Sequence, residues 1–211
     1  MRTYFCMAIV AAAVLPGVAT GQTMEPAKDC EPGDKASYTW VLNNKPQQMD
    51  LECIEGSDQE VHFVQKVGGR SYEGVVTRGT VKLVKAMCLA NGQQCAFSPG
   101  LDFIGLPLQK GKKWTQTFTV TGETFTAEVT QQRKAERLEK VKVPGGEFDA
   151  FKVSFSGRIK GVDSKGNRFS GKEDGTDWFA LINGKISVVK TVYRNSFGEK
   201  ATQELTAAVM K

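Results

Sequence analysis

The chain has 211 residues, and its 28 Lys plus Arg against 23 Asp plus Glu give a formal charge of +5. So mild a basic balance, with no interleaving of aromatic and basic residues, speaks against a nucleic-acid partner. Outside the N-terminus no stretch approaches the roughly 20 apolar residues of a membrane-spanning helix, so an integral membrane protein is not expected.

The first 21 residues have the layout of a secretory signal. Arg2 supplies the positive start, Cys6 to Val14 form a short apolar run, Pro16 and Gly17 break it, and the small residues Ala19 and Gly21 suit cleavage after Gly21. Cys6 lies near the start of that run and not after it, so no lipid anchor is expected. The mature chain, 22–211, is read as a single β-rich domain in the periplasm or outside the cell.

Four cysteines follow, Cys30, Cys53, Cys88 and Cys95, and export to an oxidising compartment favours their pairing. Four cysteines admit three connectivities. Asn91-Gly92, a turn dipeptide, brings Cys88 to Cys95, which leaves Cys30 with Cys53. In the chain-entropy model the shorter loop is worth about 2.5 kcal/mol and the longer about 3.4 kcal/mol. Neither a CxxC spacing nor a nearby histidine is present, so no metal site is expected, and no cofactor motif appears.

From there on the chain alternates with the period of a half-buried strand. Trp114, Phe118 and Val120 share one face, as do Phe125, Ala127 and Val129, then Phe151, Val153 and Phe155, then Leu205, Ala207 and Val209. Turn dipeptides such as Asn43-Asn44, Gly68-Gly69 and Asn183-Gly184 punctuate the runs. Strands are predicted near 36–43, 48–55, 59–67, 71–78, 112–120, 123–131, 136–143, 148–160, 167–181, 185–195 and 200–209. The segment 80–108 is the exception. Val81, Val84, Met87 and Cys88 line one side of a short helix, although Thr80 to Val84 reads equally as a strand. Phe97, Leu101, Phe103, Ile104, Leu106 and Leu108 are too apolar for a solvated loop and must pack on the sheet, plug it or meet a partner. The fold class expected is all-β, a curved antiparallel sheet or partly open β-barrel with one short helix or irregular loop near 80–108.

Catalytic signals are sparse. His62 is the sole histidine, placed opposite Val61 and Phe63 on a strand surface, and no GxSxG elbow accompanies it. Glu173, Asp174 and Asp177 precede Trp178, an arrangement of acids beside an aromatic that a glycan hydrolase would use, although Asp174-Gly175 reads as a turn. Asp163-Ser164-Lys165-Gly166-Asn167 resembles half a calcium loop, but Lys165 and the missing closing glutamate favour a hairpin turn. Basic residues gather between Arg133 and Lys172, either as solvated strand faces or facing an anionic partner such as lipid headgroups or an acidic polymer.

The chain holds, in this order, Leu106-Pro107-Leu108-Gln109-Lys110-Gly111-Lys112-Lys113-Trp114, then Val143-Pro144-Gly145-Gly146-Glu147-Phe148-Asp149-Ala150-Phe151-Lys152-Val153, then Asp177-Trp178-Phe179-Ala180 with Gly184 to Lys190 following. Over about 106–195 the chain resembles a family of bacterial periplasmic β-rich proteins of unknown function. The resemblance implies a curved sheet or partly open barrel and no activity. The function expected is non-enzymatic binding of an apolar ligand, a lipid or an envelope protein. Two alternatives are a glycan hydrolase using acids near Glu173–Asp177 and a structural protein associating through sheet edges.

Overall fold

The computed structural model describes residues 23–24, 28–88 and 92–211. The expected signal, 1–21, and Asn91 of the Asn91-Gly92 turn lie outside them. The described residues form no helix and fourteen strands: β1 (Thr23–Met24), β2 (Lys35–Leu42), β3 (Lys45–Ile54), β4 (Glu60–Val67), β5 (Arg70–Thr77), β6 (Leu83–Met87), β7 (Gln94–Leu101), β8 (Leu108–Gln109), β9 (Lys113–Thr121), β10 (Phe125–Val143), β11 (Gly146–Asp163), β12 (Arg168–Ile182), β13 (Lys185–Asn195) and β14 (Lys200–Val209). Twelve of them close an antiparallel barrel in the order β10-β11-β12-β13-β14-β2-β3-β4-β5-β6-β7-β9, while β1 pairs with β8. Two-residue turns set much of the register. Asn183-Gly184 and Gly68-Gly69 hold positive φ at both positions, as the tight hairpin turn that matches strand twist requires.

The structure corrects the sequence reading at four points. The helix weighed for 80–88 is absent; Leu83–Met87 is β6, β7 follows, and 102–107 is the irregular stretch. Cys88 is bonded to Cys95 at the β6–β7 turn and Cys30 to Cys53; the first link clamps β6 and β7 side by side. Second, β10 runs unbroken where two strands were expected, because a bulge between Ala135 and Arg137 absorbs the break in alternation. Third, a shift between Leu205 and Ala207 turns the end of β14 over, so Val209 is 64% exposed while Ala208 and Met210 pack inward. Fourth, Asp174-Gly175 is mid-strand in β12, paired with Ser156 and Phe155.

The interior falls into three clusters. Along the inner face of β10, Ala127 and Val129 belong to an upper group with Phe97, Phe118, Val120 and Ile159. Ala135 belongs to a lower group with Phe151, Val153 and Phe179, against which Ile104 and Leu108 are buried. In their lower halves β10 to β13 bury both faces, because β13 pairs with β14 only from Lys190 to Arg194 and the strands below are free to turn toward β2. Val141, Val143, Ala150 and Ala180 there share a cluster with Tyr38, Trp40, Met49 and Leu205, and Gly145 N donates to Leu205 O at 2.9 Å. Burial on both faces accounts for the consecutive apolar pair Phe179-Ala180, while Leu181 beyond it is 41% exposed.

One further buried group ties the chain ends to this layer. Lys185 Nζ donates to Asp34 Oδ2 at 2.6 Å, and the backbone N–H groups of Glu31 and Lys211 donate to the same carboxylate. Burial works to raise the Asp34 carboxyl, but these donors outweigh it and hold it below the usual range. Burial likewise opposes the charge on Lys185, and its two carboxylate partners, Asp34 and Glu31, prevail and hold it above the usual lysine range.

Candidate functional site

Between the upper and lower clusters the inner face of β10 carries two polar residues, Gln131 and Arg133, both buried. They sit in register with the inner face of β11, whose Phe155 lies opposite Arg133. The Arg133 guanidinium carbon is 4.7 Å from the Phe155 ring centre. Arg133 Nη2 donates to Asp177 Oδ2 on β12, and Arg133 Nη1 to Gln131 Oε1 at 2.8 Å. Gln131 Nε2 passes the chain to Glu173 Oε1 at 2.8 Å, and the Tyr193 hydroxyl donates to the other Glu173 oxygen at 3.3 Å. Thr191 Oγ1 completes the set on Asp177 at 2.9 Å. A belt of polar side chains from β10, β12 and β13 thus crosses the interior, which also buries Gln65, Ser187, Gln203 and the Asp34–Lys185 pair.

Burial dominates the electrostatics of the belt. It pushes the Asp177 carboxyl upward against the pull of Arg133, and pushes Glu173 upward against Gln131, Tyr193 and Arg133. It lowers Arg133, with Asp177 opposing, and it raises the Tyr193 hydroxyl, reinforced by the Glu173 charge. Arg133 Nε has no hydrogen-bond partner among the described residues, so one buried N–H donor on the belt is left for an acceptor.

A cavity of 690 Å³ runs past the belt, from Phe169 and Phe197 at one end of the barrel to Asp34 and Lys185 toward the other. Phe63, Leu83, Phe97, Phe118, Val120 and Val129 are among its walls, and the belt residues Gln131, Arg133, Glu173 and Asp177 line it as well. The apolar 97–108 segment contributes Phe97, Leu101, Phe103 and Ile104 to the wall. That segment is held in place from within. Trp114 Nε1 and Gln116 Nε2 both donate to Asp102 O, and Lys112 Nζ donates to the carbonyls of Gly105, Leu106 and Pro107. At the end of the barrel where β9 turns into β10, β11 into β12 and β13 into β14, the mouth is edged by Phe125, Phe169 and Phe197. Phe169 packs edge-on to both of the others, at 6.4 and 5.7 Å.

The walls keep this space open through a repeated cross-strand device. Phe63 pairs with Gly74, Phe155 with Gly175, and Phe169 with Gly161. In each pair the ring occupies the place a glycine Cβ would take, so the ring lies down on the sheet and does not project into the lumen.

The residues singled out in the sequence are divided by strand alternation. Glu173 and Asp177 face the lumen, whereas Asp174 faces outward and accepts a two-oxygen contact from Arg194 Nε at 3.0 and 2.8 Å. His62 lies on the outer face, its Nε2 3.3 Å from Glu60 Oε2. Asp163 caps its hairpin turn, accepting the N–H groups of Lys165 and Asn167. Gln131, Thr191 and Tyr193 were not singled out in the sequence, and Arg133, read there as the start of a basic stretch on solvated strand faces or toward an anionic partner, is instead buried on the inner face. The parity that places Phe125, Ala127 and Val129 on the inner face continues to 131 and 133, and that was the available signal.

No protein-family model and no curated protein matches the chain. Among solved structures it is similar to a lipoprotein candidate from Parabacteroides distasonis, with 10% identity over 86% of this chain and 97% of that one and a TM-score of 0.49. It is also similar to an exported-protein candidate with a YmcC-like fold from Bacteroides fragilis, with 11% identity over 86% and 97% and a TM-score of 0.46. The hypothetical lipoprotein YmcC from Escherichia coli gives 11% identity, 86% and 87% coverage and a TM-score of 0.45. At such identities none of them assigns an activity or a ligand to this chain.

Proposed function

We propose that the chain is an exported binding protein that holds an apolar or amphipathic small molecule, a lipid above all, in the lumen of its barrel. The observation that carries this reading is the 690 Å³ largely apolar cavity crossed by a polar belt. Its volume falls in the range of small-molecule sites, about 300–1,000 Å³, and such sites combine apolar walls with a few polar groups that fix orientation. Here the apolar part of a ligand meets the phenylalanine walls, and polar residues that line the same cavity, Gln65 and Glu173 among them, meet its polar end. Export is supported by the pattern of residues 1–21 and by two disulfides of the kind that persist in oxidising compartments.

The hydrolase reading draws on Glu173 and Asp177 facing the lumen. It needs two carboxylates free to meet a substrate, and protein donors already engage both of these. Association through sheet edges has little to use, since the twelve-stranded ring is closed.

Titration with the apolar fluorophore N-phenyl-1-naphthylamine tests the binding reading. Saturable enhancement at one site per chain, competed by palmitate, is expected, and Val129→Trp, which fills the lumen, should abolish it. No saturable enhancement, or enhancement unchanged in Val129→Trp, rejects the reading.

A further inference from the structure

We infer that the mouth end of the barrel docks onto an anionic lipid surface, through a basic face formed by the outer sides of β11 and β12. Arg158, Lys160, Arg168 and Lys172 all point outward there, and Lys165 lies in the turn between the strands; all five are exposed. None has an ion-pair partner among the described residues, although fourteen ion pairs form among other charged side chains. Arg158 and Lys172 stand directly opposite each other in the ladder, a like-charge arrangement that weakens a sheet and that no ion pair among the described residues offsets. The acidic neighbours are already engaged or few: Asp163 caps the β11–β12 turn, Glu199 is held by Asn195, Asp174 is occupied by Arg194, Glu128 is opposite Lys160, and Glu123 lies in the β9–β10 turn.

The same end of the molecule presents apolar side chains to solvent. Phe197 in the β13–β14 turn is 47% exposed, and Val162, between Lys160 and the turn, is 41% exposed. Cations surrounding exposed apolar side chains fit an interface with acidic headgroups outside and acyl chains beneath, more closely than they fit a uniformly polar acidic protein. Phe197 also packs on Phe169 at the lumen's edge, so a surface bound here faces the opening of the cavity. The inference stands on outer-face residues and does not require the lumen to bind anything.

Flotation of the mature protein with phosphatidylcholine vesicles, with and without phosphatidylglycerol, tests it. Binding is expected only with phosphatidylglycerol, weakening as salt rises. The triple variant Arg158→Glu, Lys160→Glu, Lys172→Glu should lower it by about tenfold or more, and Phe197→Ser should lower it less. Reversing three lysines at the opposite end, Lys82→Glu, Lys110→Glu and Lys142→Glu, should leave it within about twofold, which controls for net charge. Val129→Trp should float like the parent, separating this inference from the cavity reading. Absence of flotation, equal flotation on neutral vesicles, or equal loss in the control triple overturns it. So does retention on a soluble polyanion that depends on the patch without vesicle binding, which would assign the face to an acidic macromolecule.

Discussion

Arg133 and Asp177 illustrate how a single buried pair is both costly and hard to remove. Desolvating two charges consumes much of their mutual attraction, while deleting one partner strands the other in the interior. Arg133→Met should therefore destabilise by about 3–5 kcal/mol, and Arg133→Met with Asp177→Leu should recover most of that loss, as read from urea midpoints. Glu173 gives the pH counterpart. Its folded carboxyl sits above the usual range because it is buried, so it takes up a proton on folding. The fold then gains stability as pH falls through the folded value toward the unfolded one, about 4.3, and at neutral pH the ionised form is a penalty. Glu173→Gln, which retains an acceptor for Gln131 or Tyr193, should raise stability at pH 7 by about 1 kcal/mol and flatten the stability profile between neutrality and pH 5. None of these roles was readable from residue type, because Gln131 and Arg133 look like any polar alternates on a strand. Only their parity with Ala127 and Val129 distinguishes the inner belt from a solvated face.

Glycines that do not turn the chain are the strands' least expected feature. Gly175 sits mid-strand opposite Phe155, and a Cβ there would meet both that ring and the carbonyl oxygen of Val192. Gly175→Ala should lift Phe155 off the sheet, cost about 1–3 kcal/mol by overpacking, and weaken fluorophore binding at the same time, two effects that urea titration and fluorescence measure separately. Reading Asp174-Gly175 as a turn failed for this reason: glycine marks close approach as well as reversal. Elsewhere the two-residue rhythm placed most strands within a few positions, since one face of each is buried and the other wet. It failed where tertiary packing decides. Leu83–Met87 becomes a strand by pairing with β5 and β7 and through the Cys88–Cys95 link, and a five-residue run carries too little periodicity to say so. The bulges at 135–137 and 205–207 shift parity without any glycine or proline to announce them.

At the scale of the whole molecule the barrel keeps space that a protein built only for stability would fill. Three rings are laid flat against glycines, the lower strands bury both faces, and 690 Å³ of space remains inside, crossed by a polar belt. Wall atoms facing that space forgo dispersion contacts, so whatever occupies the space returns stability to the fold. A ligand that binds only the folded chain contributes about 2.7 kcal/mol when present at a hundred times its dissociation constant. Val129→Trp places an indole where the ligand would lie, in contact with Phe97, Phe118 and Ala127 of the same cluster. That variant should melt at or above the parent's temperature without ligand, and it should gain nothing when palmitate is added. The parent should show the full ligand-dependent rise, by calorimetry at several palmitate concentrations. A parent whose melting ignores palmitate, beside a variant that loses stability through overpacking, would mean that the lumen is closed packing space and not a site, because an unoccupied site and a filled core respond oppositely to added volume.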